Sequence, residues 1–268
     1  MIIFNNNSIG YVLDTDASKV IEAVRSTGVT ITPAMMHYAH YLISNMKNIG
    51  TWQLSNAVYG FVGGTAASHK WNWKDLRDVD AAFRLAYSGG ITHSANGMQG
   101  NGSTGYADTK LNVSTSLAIG NTHLSIYGAS GVLTNSFDMG VYNPSQQSTQ
   151  AFLLSLYYGG NVVRYDDGGD SNSLRPTVPD FNGYAIGIRV GTSQKVFKKG
   201  TLVGQRTASG GVMPNATMYL MAMNASGFSF LHSTRLLKLA TIGSGLTDTQ
   251  AISQSHHVTV AQSILNRA

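Results

Sequence analysis

The sequence predicts a mainly β fold, a two-sheet sandwich or barrel preceded by a helical hairpin and closed by a short helix. Three observations predict it. Short strand-like runs recur about every ten residues, separated by turn-rich links. The 268 residues include 30 glycines, only 5 prolines and no cysteine, so the chain makes many turns and its stability comes from packing rather than disulfides. The first fifty residues follow a different, helical rhythm.

Taken in order, Asp16–Arg25 places Val20, Ile21 and Val24 on one side and stops at Ser26-Thr27-Gly28. Thr32 then offers an N-cap and Pro33 a first-turn proline, with Met35, Ala39, Leu42 and Met46 on one face of a helix running to about Asn48. This pair reads as a helical hairpin laid against the sandwich or against a neighbouring subunit. Strands are expected at Ala57–Val62, Ala82–Tyr87, Gly105–Leu111, His123–Tyr127, Phe137–Tyr142, Ala151–Tyr157, Asn161–Arg164 and Tyr184–Val190. A hairpin over Lys195–Val203 turns at Lys199-Gly200, and strands Thr217–Met223 and Leu236–Ile242 follow. Gly97–Gly105 reads as a long hairpin connection. Thr247-Asp-Thr-Gln250 matches a capping box. The helix it opens has a thin apolar stripe of Ala251, Val258 and Leu265, expected to pack lightly or to meet a partner chain. The organisation expected is an anchoring helical arm over 1–51, a sandwich over 52–246 and a helix over 247–268 packed on it.

Charged residues make up 12% of the chain, and the formal net charge is +5. That share is about half the usual one. The basic residues are scattered, the densest run being Lys195, Lys198 and Lys199, so no stripe for nucleic acid is predicted. No window approaches the roughly 20 apolar residues of a membrane span. No signal peptide is visible after Met1, and the chain is expected to be made in a host cytoplasm and to reach its site by assembly.

The ending of the chain carries a resemblance. The strand pair Val196–Val203, the strand Thr217–Met223 and the helix start Leu246-Thr-Asp-Thr-Gln250 resemble the laminin-G-like branch of the concanavalin A-like jelly rolls. As a pattern the likeness runs from Trp52 to Gln250. Phe61-Val-Gly-Gly-Thr65 and His69–Leu85 are similar to structural proteins of bacteriophages of Bacteroidetes-type hosts, in which helices precede a jelly roll of this kind. The resemblance implies a concanavalin A-like jelly-roll sandwich in a virion spike, fibre or capsid decoration. It also implies homo-oligomers, contacts with other virion proteins through the N-terminal helices, and no catalytic residues to carry over.

The residues themselves narrow the chemistry. Glycoside hydrolysis needs two carboxylates about the scissile bond, and Glu22 is the only glutamate; Asp78 and Asp80 remain as a pair, read as a polar loop bound to nearby cations. The loop Asp166, Asp167 and Asp170 has oxygen ligands of the type calcium takes, and reads either as a solvated turn or as a calcium site; no other cofactor is expected. His37 with His40, and His256 with His257, lack the further ligands of a zinc centre. No Gly-x-Ser-x-Gly elbow and no phosphate loop is present. Sugar recognition needs flat aromatic faces with a few polar groups. Trp71 and Trp73 alternate, and Tyr157, Tyr158 and Tyr165 could form a second platform. The alternative for the tryptophans is that they seal the junction of helices and sandwich. The expected function is therefore a non-enzymatic virion component that binds host-surface glycans. The alternatives are a secreted bacterial carbohydrate-binding module and, further off, a glycan-degrading enzyme.

Overall fold

The computed structural model describes residues 12–129, 131–132, 135–146, 151–159, 162–168 and 173–268. The chain begins with α1 (Thr15–Arg25), α2 (Pro33–Asn48), α3 (Thr51–Leu54), β1 (Ser55–Tyr59) and α4 (Ala66–His69). It continues through β2 (Ala86–Ser88), β3 (Ile91–Ser94), β4 (Gly97–Gly100), β5 (Tyr106–Asn112), α5 (Val113–Ser116), β6 (Asn121–Ala129), β7 (Met139–Tyr142), β8 (Ala151–Ser155) and β9 (Arg164–Asp167). The remainder is β10 (Gly183–Val190), β11 (Ser193–Lys198), β12 (Thr201–Thr207), β13 (Thr217–Leu220), β14 (Met223–Ala225), β15 (Phe228–Phe230), β16 (Leu236–Gly243) and α6 (Asp248–Ile264).

The strands form two eight-stranded sheets. The first runs β12-β11-β10-β6-β16-β4-β3, with β1 also paired to β16. In the second, β7 is central: β8 and then β9 lie on one side, β13 and β14 on the other. All pairings are antiparallel except β14 with β7. The inner faces meet in a core that takes Leu124, Ile126, Val196 and Ile242 from the first sheet and Leu111, Val141, Phe152 and Leu220 from the second. Each such side chain contributes about 1.5–3 kcal/mol by leaving water. Tyr165 projects into this core over Gly187, where a Cβ would come within 2.4 Å of its ring. A mainly β sandwich with N-terminal helices and a C-terminal helix is thus the architecture, consistent with a jelly-roll-like fold.

The outer face of the first sheet is covered. The apolar sides of α1, α2 and α6 share one cluster with Tyr127, Tyr184, Ile186, Ile188 and Leu239 of that sheet. The helices expected as an anchoring arm are therefore laid against the sandwich, the first of the two placements their pattern allowed. Thr32 caps α2 by accepting from the Met35 N–H at 3.2 Å, and Thr247 and Gln250 cap α6 reciprocally.

α6 corrects one expectation. Its thin stripe does not pack lightly: Gln254, Ser255 and Gln262 are buried with Ala251, Val258 and Ala261. Gln254 donates to the Tyr184 hydroxyl at 2.6 Å and Gln262 to the Tyr38 hydroxyl at 3.1 Å. Hydrogen bonds replace the missing apolar contacts. Beneath them His123 Nδ1 donates to the Ser244 carbonyl at 2.6 Å, and its Nε2 accepts from Thr241 Oγ1 at 3.0 Å. Arg267 is 2% exposed and donates to Gln262 and to the carbonyls of Phe61, Gly60 and Lys238.

Two strand expectations change as well. Gly97–Gly105 is not a bare connection, since Gly97–Gly100 is β4, paired with β3. Ala82–Tyr87 begins as a 3-10 turn over Asp80–Ala82, with Phe83 at φ 59°, and becomes extended only at β2. The expected strand Asn161–Arg164 starts on Asn161, which lies outside the described residues.

Candidate glycan-binding face

With one outer face sealed by helices, the outer face of the second sheet is the other candidate: among the described residues its β5 side carries half-buried Tyr106, Asp108 and Lys110, while Leu153, Tyr219 and Asp166 on it are buried by neighbouring side chains. Register aligns Asp166 of β9, Leu153 of β8, Gly140 of β7, Tyr219 of β13, Asp108 of β5 and Ala86 of β2 in a single transverse row. Strand alternation points all six outward, because their sequence neighbours Tyr165, Leu154, Met139, Met218 and Ala107 lie in the core. β5 shows this most plainly: Ala107, Thr109 and Leu111 are buried, while Tyr106, Asp108 and Lys110 are half-buried.

Aromatic rings stand over this row in separate groups. Tyr106 stacks on Tyr219 with centroids 4.5 Å apart and planes 18° apart. Asp108 beside them is paired with Lys110 at 3.0 Å. Loss of water, together with the Asp108 charge and the neighbouring Tyr106 hydroxyl, pushes the Tyr219 hydroxyl up to about 12. At the β8–β9 side, Phe137 stacks on Tyr158 at 5.3 Å and 24°. The Arg164 guanidinium lies 4.6 Å from the Tyr158 centroid, held there by two hydrogen bonds to Asp166 Oδ2 at 3.0 and 2.7 Å. Arg175 lies 5.3 Å from the same ring. Phe137, Leu153 and Met223 form a small outer cluster edged by Tyr142, Tyr158 and Phe230.

The residues singled out from sequence are dispersed. Trp71 and Trp73 are 8% and 3% exposed and belong to the helix–sheet cluster. Trp73 meets Tyr38 edge-on at 5.8 Å and lies against Gly60, where a Cβ would come within 2.1 Å of the ring. Neither tryptophan offers a face to a ligand; the sealing alternative describes them. Between them, buried Asn72 accepts from the Val58 and Lys74 N–H groups and donates to the Asn56 and Ala82 carbonyls. Tyr165 is fully buried in the core, which removes it from any platform. Tyr157 and Tyr158, being adjacent, part company: Tyr157 packs edge-on against Phe181 at 4.7 Å, and Tyr158 packs against the outer cluster of the second sheet.

The acids are engaged. Asp78 pairs with Lys70 and Arg84, and Asp80 with Arg84, all at the surface. Asp166 pairs with Arg164, and Asp167 with Arg189 at 3.2 Å; Asp170 lies outside the described residues. Buried Asp138 accepts from the Leu156 N–H and the Ser233 hydroxyl and pairs with Arg235 at 3.4 Å. Among the described residues no three metal-ligating side chains are gathered. His40 Nδ1 accepts from the Asp14 N–H at 2.8 Å, and His257 Nδ1 lies 3.2 Å from the Tyr41 hydroxyl. A cleft of about 520 Å³ between the β11–β12 turn and α6 is lined by Tyr127, Lys199, Thr201, Ile252 and His256, with Lys199 turned to Asp180.

No family model and no curated protein matches the chain. Among solved structures it is similar to a mutant of Trypanosoma rangeli sialidase displaying trans-sialidase activity, at 12% identity and a TM-score of 0.51, over 87% of this chain and 40% of that one. It is also similar to domain 4 of AbnA, a GH43 extracellular arabinanase from Geobacillus stearothermophilus in complex with arabinotriose, at 16% identity and a TM-score of 0.49, over 75% of this chain and 98% of that domain. A third likeness is Ruminococcus gnavus IT-sialidase CBM40 bound to α2,3 sialyllactose, at 13% identity and a TM-score of 0.41, over 52% of this chain and 83% of that one. At these identities the likeness concerns the fold, a β-sandwich.

Proposed function

We propose that the chain is a non-catalytic structural protein of a bacteriophage virion, a spike, fibre or capsid decoration, whose sandwich binds host-surface glycans through the outer face of the second sheet. The observation that supports it is the asymmetry of the two faces. One is closed by α1, α2 and α6; the other carries the half-buried Tyr106 and Tyr158 beside fixed charged groups. Pyranose rings stack their C–H faces on such rings, and flanking polar groups orient the hydroxyls. The low charge content and the phage-protein resemblance of His69–Leu85 support the virion setting. Symmetric homo-oligomers are the assembly expected of such a part, with the outward sides of α1 and α2 available to other virion proteins. Calcium at the Asp166–Asp170 loop is not needed for this reading, since Asp166 and Asp167 are already held by arginines.

A secreted bacterial carbohydrate-binding module would use the same face equally well. Two measurements separate the readings. A glycan array probed with the full chain should give binding that Tyr158→Ala or Tyr106→Ala weakens, with no sugar released. Mass spectrometry of purified particles should find the protein at many copies. Binding without incorporation into particles favours the secreted module, and product release from a polysaccharide overturns the non-catalytic assignment.

A further inference from the structure

We infer that the β5–β2 edge of the second sheet takes a neutral sugar through two adjacent hydroxyls, with Tyr106 as the stacking surface and Asp108 and Lys110 as the polar clamp. This rests on the glycan-binding reading and adds the class of ligand. Tyr106 is the outer member of its stacked pair: Tyr219, 4.5 Å away, is 6% exposed, while Tyr106 is half-buried. The strand order is β13-β5-β2, so the ring face that Tyr219 leaves free is turned toward β2. Among the described residues no second aromatic ring and no cation lies over Tyr106. β2 sets Ala86 and Ser88 in register with Asp108 and Tyr106, and side chains that small leave a shelf beside the ring.

Lys110 is held in a strained backbone. Thr217 and Tyr219 of β13 pair with Asn112 and Asp108 of β5, so Thr109, Lys110 and Leu111 together face the single Met218. Thr109 builds this bulge: its Oγ1 donates to the Met218 carbonyl at 2.8 Å and accepts from the Leu111 N–H at 3.2 Å. At the centre Lys110 adopts φ 59°, a conformation glycine would take without strain. There Lys110 Nζ meets Asp108 Oδ2 at 3.0 Å, and the Lys110 N–H donates to Oδ1 at 2.8 Å. The pair sums to zero charge, yet it is not saturated. Each carboxylate oxygen keeps a lone pair and the ammonium keeps two N–H groups. Adjacent sugar hydroxyls both donate and accept, so they match what remains. A carboxylate would have to draw Lys110 away from Asp108 and leave that acid unpaired, which selects a neutral sugar.

The test is binding of the full chain to dextran, mannan and galactan, to O-methylated forms of each, and to polygalacturonate and its methyl ester, in salt that screens the net charge of +5. At least one neutral polymer should bind, its O-methylated form at least about tenfold more weakly. The free acid should bind no tighter than its ester. Tyr106→Ala should weaken binding of the neutral polymer by a similar factor. Lys110→Gly is the deciding variant, because it relaxes the backbone while removing the ammonium. Its melting temperature should match or exceed that of the parent while binding falls at least about tenfold. Equal binding of a polymer and its methyl ether, or tighter binding of the acid than the ester, would overturn the inference. So would a Lys110→Gly protein that binds as the parent does, or one that melts lower, which makes Lys110 part of the scaffold. If glycans bind only in acidic form, or bind without loss in Tyr106→Ala and Lys110→Gly, the inference fails and the glycan reading stands; if no glycan binds, both fail.

Discussion

Acidification should unfold this protein through two buried histidines. His123 is fully buried, with Nδ1 donating to the Ser244 carbonyl and Nε2 accepting from Thr241, and burial lowers it to about 4. His69 is 1% exposed, and its Nε2 accepts from the Gly64 N–H at 3.1 Å. Its proton therefore sits on Nδ1 and points to His93 Nδ1, 3.1 Å away. Burial, with His93 and Arg267 nearby, lowers His69 to about 3. Neither ring has a free nitrogen facing an acceptor, so a second proton breaks an existing hydrogen bond in each case. Unfolded, both would titrate near the ordinary value of about 6.5. The unfolded chain then binds more protons than the folded one below that pH, and stability falls as pH falls. The loss begins at about 6.5 and is complete only at the folded values, about 4 for His123 and about 3 for His69. At about pH 5 each histidine costs about 2 kcal/mol, so the pair removes about 4 kcal/mol relative to pH 7.5, a large part of a normal domain's stability. Urea unfolding at the two pH values measures the difference. Histidine NMR titration of the folded protein gives the second readout, with the His123 and His69 rings staying neutral at pH 5. A stability change under about 1 kcal/mol, or eight rings that all titrate near the ordinary value, would refute the reasoning.

Two further outcomes are expected. Gly60→Ala drives a methyl group into the Trp73 ring, and Gly187→Ala does the same to Tyr165; both rings are buried on all sides, so each should cost about 3 kcal/mol in chemical denaturation, while Gly28→Ala, with open space around it, loses less and only through its φ of 85°. Thr247→Ala removes one half of the α6 capping box and should lower stability by about 1 kcal/mol with glycan binding unchanged, measured by thermal melting and the same binding assay.

The sequence made local structure legible where one residue type has one role. Thr32-Pro33 and Thr247–Gln250 start helices because a hydroxyl oxygen there satisfies an otherwise unpaired N–H, and both helices begin where those residues say. Lys199-Gly200 turns the β11–β12 hairpin because the turn needs positive φ at both residues, which glycine adopts freely. What could not be read was set by distant partners. β4 is rich in glycine because Leu237 and Ser233 carbonyls crowd against Gly97 and Gly100, and the same glycines make it look like a loop in one dimension. The tryptophans alternate in sequence, yet their segment is held by the four hydrogen bonds of Asn72, not by a sheet. Of the candidate face, Tyr158 was legible. The polar phase of Tyr106, Asp108 and Lys110 and the i, i+2 spacing of Arg164 and Asp166 were available signals. That they share one surface follows only from the strand order, which brings β5 and β9 to the two sides of β7.

The glutamines of α6 have a mechanical consequence. An oily helix on an oily sheet can rotate or slide by a turn at little cost. Gln254 and Gln262 instead each meet one tyrosine hydroxyl, eight residues apart along the helix, so any such slippage strands two amides away from water at once. The helix consequently has one seat, and it leaves that seat in a single step or not at all.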